Sequence, residues 1–354
     1  MKIGFYTPYL NILGGGERYI LQMANMLSEK HQVDIFGDKI FKRKAQEFFG
    51  LDLEKVNFVA DIFRGEYKKK IFSKLRATNN YDRFFYVTDG SLLISLAKKN
   101  YLIIQVPQRE MYKNDLLTRF KLSFWQTKLV YSNYVKYYID RWWNTDAQVF
   151  PPAIDTRQFK TGPKDNIILS VGRFFPLPHS KKQEVLVDAF KILCQKGLRG
   201  WKLILAGGVD EQGKEYFNMV KKRAKGFPVE IQTNLFYSDL LDLYSCAKIY
   251  WHAAGFGEDL DKHPERAEHF GITTLEAMAS GCVPLVFSAG GQKEIVNDGT
   301  DGLSWNTKEE LVQKTTNLIN NLNIWDKLSK NALEKSKEYD IKRFEKKLIS
   351  LIKQ

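Results

Sequence analysis

The sequence predicts an α/β protein built of two doubly wound parallel-sheet domains facing a cleft. Two observations carry this expectation. The chain has 354 residues, room for two domains at roughly 100–200 residues each. Short apolar, strand-length runs alternate with amphipathic helical stretches, and the series restarts after a proline-rich interruption. With 44% hydrophobic and 27% charged residues, the composition is globular. It excludes a disordered, collagen-like or disulfide-scaffold chain.

The elements follow in order. Lys2 to Leu10 opens as a strand running into a loop, Gly14-Gly15-Gly16 follows, and apolar residues at Tyr19, Ile20, Met23, Met26 and Leu27 give Glu17–Lys30 helical spacing. Val33–Phe36 is the next strand, completing a βαβ opening. Further strands are expected at Phe84–Val87, Tyr101–Val106, Lys128–Tyr131 and Gln148–Phe150. Pro151-Pro152 starts a linker, residues 151–165. The second series has strands at Asn166–Val171, Lys202–Ala206, Val229–Gln232, Ile249–His252 and Val283–Phe287. Between them lie helices at Gln183–Gln195, Glu215–Ala224, Ser238–Ala247, Thr273–Ser280 and Gln292–Asn297. The expected domains are therefore residues 1–150, residues 166–335, and a helical tail over 336–354 that returns to the first.

Charge and cysteine content narrow the class. Lys+Arg 54 against Asp+Glu 41 gives a net charge of +13, of which residues 1–150 carry +9. A basic first half points to an anionic partner: a membrane surface, nucleic acid or a phosphorylated substrate. No apolar run approaches the roughly 20 residues of a membrane-spanning helix, and the start reads as a strand rather than a signal peptide. Three widely spaced cysteines, Cys194, Cys246 and Cys282, form no disulfide framework. The expected location is cytoplasmic, peripheral on the inner face of the cytoplasmic membrane.

Three places carry candidate chemistry. Glycines at a strand-to-helix junction let backbone approach an anion closely. A G-x-G-x-x-G fingerprint from Gly14 and Gly16 would need glycine where Tyr19 stands, and no P-loop pattern occurs. The second place is Gly172-Arg173 after the strand that opens the second half, followed by Ser180-Lys181-Lys182-Gln183 at a helix start. Strand ends of a parallel sheet face the ligand crevice, where Arg and Lys suit a diphosphate. The third is Glu268-His269-Phe270-Gly271-Ile272-Thr273-Thr274-Leu275-Glu276, two glutamates separated by seven residues. Thr273 to Glu276 also matches a capping box, which accounts for neither Glu268 nor Gly271. A glutamate pair alone would also suit a glycosidase. His31, His179, His252, His263 and His269 show no metal-ligand spacing. Asp259-Leu260-Asp261 reads as a solvated loop in a stretch over 256–267 whose role the sequence leaves open.

Taken together, Gly14-Gly15-Gly16-Glu17-Arg18, Ser170-Val171-Gly172-Arg173 with Lys182, and Glu268 to Glu276 resemble glycosyltransferase family 4, retaining enzymes of the GT-B fold with an E-x7-E motif. The similarity extends through His252-Ala253-Ala254-Gly255 and Ala289-Gly290-Gly291-Gln292 and is most like bacterial and archaeal members and lipid-linked-oligosaccharide mannosyltransferases. The resemblance implies transfer of a hexose such as mannose or glucose from a nucleotide sugar such as GDP- or UDP-hexose, with no cofactor. The acceptor it implies is a glycan or lipid-linked sugar of cell-surface polysaccharide synthesis.

By the same resemblance, Arg173 and Lys182 hold the donor diphosphate and serve catalysis with Glu268, which binds the transferred sugar. Gly15, Gly16, Gly271, Ile272, Thr273 and Thr274 offer backbone to the diphosphate. Glu276 meets the ribose, and Asn234 and Leu235 the base. No metal is expected. Where many family members carry a histidine after a middle strand of the first domain, this chain offers Gln105 or Gln108. Lys68-Lys69-Lys70, Lys74, Arg76 and the aromatic-basic run from Arg119 to Trp143 suit an acceptor at an anionic membrane surface. The competing readings are a GT-B sugar-nucleotide epimerase, disfavoured by the missing histidine, and a non-enzymatic basic module. For the latter no nucleic-acid recognition motif is present.

Overall fold

The structure is a computed structural model that describes residues 1–12, 14–64 and 71–354. The chain divides into two compact units, residues 1–152 with 342–354, and residues 153–341. In the first, β1 (Lys2–Tyr6), β2 (Gln32–Phe36), β3 (Val56–Val59), β4 (Arg83–Val87), β5 (Lys99–Ile104), β6 (Thr127–Val130) and β7 (Gln148–Val149) form one sheet. Its order is β3-β2-β1-β4-β5-β6-β7, and its pairings are parallel. The second has β8 (Asp165–Val171), β9 (Lys202–Gly207), β10 (Val229–Thr233), β11 (Ala247–His252), β12 (Val283–Phe287) and β13 (Leu303–Trp305). Their order is β10-β9-β8-β11-β12-β13, again parallel.

Both sheets are Rossmann-like, and the reason lies in their strands. Ile167, Ile168 and Leu169 of β8 and Leu203, Ile204 and Leu205 of β9 are all buried, because helices cover both faces of a parallel sheet and leave no position for alternation. The second core gathers Ile168, Leu186, Phe190, Leu205, Ile249 and Trp251. Strand order reverses between β1 and β4 and between β8 and β11. Such switch points leave a crevice at the carboxyl ends of the strands, so the residues following Tyr6, Val87, Val171 and His252 are where ligands belong.

Two segments depart from a plain alternation. The proline-rich stretch after Pro152 packs on the second unit: Ile154 bonds Tyr339 and Ile341 through the backbone, Phe159 is buried beside Tyr244, and Lys164 donates to the Ser280 carbonyl at 2.6 Å. The final helix, Ile341–Lys353, buries Phe344, Leu348, Leu351 and Ile352. Tyr101 donates to Leu351 O and Arg83 to Ile352 O, each at 3.0 Å, so that helix completes the first unit.

Candidate active site

The switch point of the second sheet assembles a charged cluster. Leaving β8, the chain passes Gly172, where a β-carbon would stand 2.7 Å from Lys181 Cγ. The absence of a side chain there lets the Lys181 stem lie across the backbone. The Lys181 ammonium reaches Glu268 Oε2 at 2.5 Å, and His252 Nε2, at the end of β11, lies 3.0 Å from the same oxygen. Tyr250 of β11 ties the cluster to the next helix, donating to Thr273 Oγ1 at 2.7 Å and to Val171 O at 3.4 Å. Lys181, Glu268 and His252 thus form one cluster, Tyr250 on the same strand as His252 reaches Thr273, and Arg173 follows Gly172 in the chain.

The electrostatics follow from burial. Burial opposes charge on Glu268, but Lys181 and the His252 hydrogen bond outweigh it and hold the carboxyl well below its ordinary range. Burial also lowers the His252 imidazole, against the pull of Glu268. A neutral His252 donating through Nε2 leaves Nδ1 bare, and Nδ1 has no hydrogen-bond partner among the described residues. Arg173 is exposed, its guanidinium 5.6 Å from the Phe175 ring centre. Among the described residues no carboxylate is paired with it.

The helix Ile272–Ala279 begins at Gly271, whose φ of +118° is left-handed, and has no side-chain cap. Its first intrahelical bonds come from Thr274 N and Leu275 N, so the amides of Ile272 and Thr273 have no partner within the helix, as at any helix start. Because Gly271 is the cap, Glu276 is the fifth helical residue and the capping box of Thr273 with Glu276 is not made. Glu276 is 2% exposed and accepts from Tyr244 OH at 2.9 Å. The Thr273 and Thr274 hydroxyls accept from Tyr250 and Gln292, so each keeps its own O–H as a donor beside the amides of that turn.

One expected residue is displaced. Lys182 does not accompany Glu268: it adopts φ +56° as the cap of helix Gln183–Gln195, and its ammonium meets Glu258 Oε1 at 2.5 Å. The turn sends adjacent lysines to different carboxylates, so that Lys181, not Lys182, meets Glu268. Lys181 stands in the Ser180–Gln183 stretch and His252 at the end of an expected strand, but the sequence assigns a role to neither; the position of His252 at a strand end of the switch point is the signal for it. Asn234 and Leu235 follow β10, two strands from the switch point, where Asn234 Oδ1 accepts from Val209 N at 3.3 Å. Asp259 pairs with Lys262 at 3.0 Å on the surface. Among the described residues no three His, Cys, Asp or Glu side chains group as metal ligands.

In the first unit, Gly15 and Gly16 open helix Gly15–Ser28, and Glu17 accepts from Gly14 N at 2.9 Å. A β-carbon on Gly16 would stand 2.7 Å from Gln105 Oε1, so of the two glutamines left open it is Gln105 that lies at the glycine turn. Gln108 instead caps the short turn Arg109–Met111. At the carboxyl ends of β1 and β4 lies a cavity of about 680 Å³ lined by Tyr6, Tyr9, Tyr86, Arg64, Lys74 and Lys121, among others. Lys68, Lys69 and Lys70 lie outside the described residues. The aromatic-basic run divides: Trp125 and Trp143 are core, whereas Leu116, Leu117 and Phe120 are exposed beside Arg119 and Lys121. Among the described residues no helix is long and apolar enough to cross a membrane.

Comparison with known proteins identifies the family and the fold. The family described as "Glycosyl transferases group 1" matches residues 153–335. The chain is 25% identical, over 99% of its length and 98% of the relative's, to a Campylobacter jejuni GalNAc-alpha-(1->4)-GalNAc-alpha-(1->3)-diNAcBac-PP-undecaprenol alpha-1,4-N-acetyl-D-galactosaminyltransferase. It is 27% identical to a Xenopus laevis GDP-Man:Man(3)GlcNAc(2)-PP-Dol alpha-1,2-mannosyltransferase over 51% of this chain and 40% of that one. Among solved structures it shares the fold of Anabaena HepE in complex with UDP and glucose, with a TM-score of 0.76 at 16% identity over 100% and 99% of the two chains. It shares it equally with a glycosyltransferase from Rickettsia africae, with a TM-score of 0.76 at 17% identity over 99% and 97%. With two Rossmann-like units, a charged cluster at the second switch point and more than half its length matched by the family model, the chain belongs to the group 1 glycosyltransferases.

Proposed function

We propose that this enzyme transfers a hexose from a nucleoside diphosphate sugar to a lipid-linked glycan, with retention of configuration and without a metal ion. The observation that carries the reading is the Lys181–Glu268–His252 cluster beside the uncapped start of helix Ile272–Ala279. Cleaving the donor bond develops negative charge on the departing diphosphate. Arg173, Lys181 and the Ile272 and Thr273 amides are cations and dipoles suited to receive it, and Glu268 can accept hydrogen bonds from the sugar hydroxyls. Glu276 serves the ribose, Asn234 and Leu235 the base, and Gly15 and Gly16 the approach of backbone to the diphosphate. Retention goes with the resemblance to enzymes carrying two glutamates at this spacing.

The acceptor reading rests on the first unit. A cavity lined by Tyr6, Tyr9, Tyr86 and apolar side chains, with Arg64, Lys74 and Lys121 outnumbering the single carboxylate Asp89, suits a sugar ring attached to a phosphate group. Leu116, Leu117 and Phe120, exposed beside Arg119 and Lys121, suit the interface of an anionic bilayer, on the cytoplasmic side. The names of the Campylobacter and Xenopus relatives, both with acceptors on polyprenyl diphosphates, support the same class.

A panel of UDP-, GDP-, ADP- and dTDP-sugars tests the donor half by thermal shift with and without EDTA. A donor at about 100 times its Kd stabilises the fold by roughly 2.7 kcal/mol, and the shift should survive EDTA. No shift with any sugar nucleotide rejects the donor reading. Co-sedimentation with anionic against neutral vesicles tests the surface, and equal recovery in both rejects it.

A further inference from the structure

The segment 256–267 contributes two nearly buried carboxylates, Glu258 and Glu265, each with a side chain 8% exposed, and of the two Glu258 is the one that reaches a lysine outside the segment. One oxygen meets the Lys182 ammonium at 2.5 Å and the other meets Arg266 Nη1 at 2.6 Å. Arg266 lies two residues before Glu268, so Glu258 ties the start of helix Gln183–Gln195 to the strand of chain that delivers the sugar-binding glutamate. Burial works against charge on Glu258, yet the bonds from Lys182 and Arg266 bring its carboxyl below the ordinary range.

What the clamp holds is unusual. Lys182 sits at φ +56° and ψ +40°, a left-handed conformation that is free to glycine and unfavourable for a side chain with a β-carbon. The residue before it, Lys181, must lie over Gly172 and end on Glu268. The residue after it, Gln183, donates from Nε2 to the carbonyls of Gly172 and Arg173 at 3.1 and 3.2 Å. If residue 182 relaxed toward the right-handed region, Lys181 would turn away from Glu268. The second ammonium would then be loose beside the site.

We propose that Glu258 is a positioning residue for the donor site. By clamping Lys182 it holds the left-handed turn that lays Lys181 on Glu268, and it keeps the neighbouring ammonium off that carboxylate. The inference rests on Lys181 and Glu268 as the diphosphate and sugar ligands, but the clamp itself can be read without a donor.

Two variants, E258Q and E258Q/K182G, decide the matter. A glutamine has one acceptor oxygen for two cations and presents its NH₂ to one of them, so the clamp fails with little change of shape. Glycine at 182 enters the left-handed turn without a steric penalty and carries no ammonium. Hydrogen exchange of the ligand-free protein should show faster exchange over residues 181–186 in E258Q and a return to wild-type protection in E258Q/K182G. Unchanged exchange in E258Q overturns the clamp whether or not any donor has been found. With the nucleotide sugar that gives the largest thermal shift, E258Q should lose about 10–100-fold in kcat with KM within about threefold, the cost of a misplaced group. The double variant should recover to within about threefold of wild type. Wild-type kcat in E258Q, or a double variant as slow as E258Q, contradicts the proposal. A wild type with no donor at all would instead count against the functional reading.

Discussion

His252 Nε2 lies 3.0 Å from Glu268 Oε2, the oxygen that also takes the Lys181 ammonium. One strand end at the switch point thus orients the carboxylate, while a helix start neutralises it. His252 is 4% exposed, so its bond to Glu268 is shielded from water, and hydrogen bonds to charged groups are worth about 1.5–3 kcal/mol. His252→Phe should therefore lower the unfolding free energy in urea by about that amount and let the Glu268 carboxyl rise toward its ordinary range. Unchanged stability and an unchanged carboxyl titration by NMR would show that the bond contributes nothing.

Acid stability tests the same region through His269, whose imidazole burial pushes down to about 4, while its Nε2 lies 3.0 Å from the Glu265 carbonyl. An unfolded imidazole titrates near 6.5. Between about pH 6.5 and 4 the unfolded chain therefore holds a proton that the folded one does not, and stability falls as pH falls. The melting temperature should drop across that window, and His269→Gln should make the drop shallower, with His179 and His252, whose imidazoles burial also lowers, carrying the rest. A variant with the wild-type slope would contradict the assignment.

Glu276 separates donor binding from folding. Glu276→Ala would strand the buried Tyr244 hydroxyl, at a cost of about 1–3 kcal/mol, and so confound the two. Glu276→Gln keeps an acceptor for Tyr244. Its ligand-free melting temperature should stay near wild type, and its thermal shift with the best sugar nucleotide should largely vanish. A full shift would remove Glu276 from the ribose.

At the first unit's glycine turn, Gly16→Ala would bring a β-carbon to 2.7 Å from Gln105 Oε1. Overpacking of this kind costs about 1–3 kcal/mol. Adding Gln105→Ala should restore most of the loss in urea unfolding, because the clash is with the end of that side chain. Additive losses would place the strain in the backbone instead.

Much of this was legible in the chain itself. Helix Gln183–Gln195 and strand Val283–Phe287 lie where periodicity puts them, because long apolar patterns leave little choice. Val56–Val59 and Leu303–Trp305 were not visible, being four and three residues long, too short for a pattern to rise above its surroundings. The E-x7-E stretch was plain, but its cap was not. Thr273 with Glu276 matches a capping box in letters, whereas the left-handed Gly271 places the cap two residues earlier than Thr273 and leaves Glu276 past the capping position. The two lysines at 181 and 182 are the sharpest case. They are chemically identical, and only the sign of one backbone angle, +56° at Lys182, decides which of them reaches Glu268.

Lys181 gives the most direct measurement. Removing one preorganised group that stabilises developing charge costs about 10²–10³ in rate. With the sugar nucleotide that gives the largest thermal shift, Lys181→Met should lose kcat/KM by that factor, and more than Lys182→Met does. A Lys181→Met enzyme that turns over as wild type does, or a greater loss at Lys182, would contradict the account of how this site holds its diphosphate.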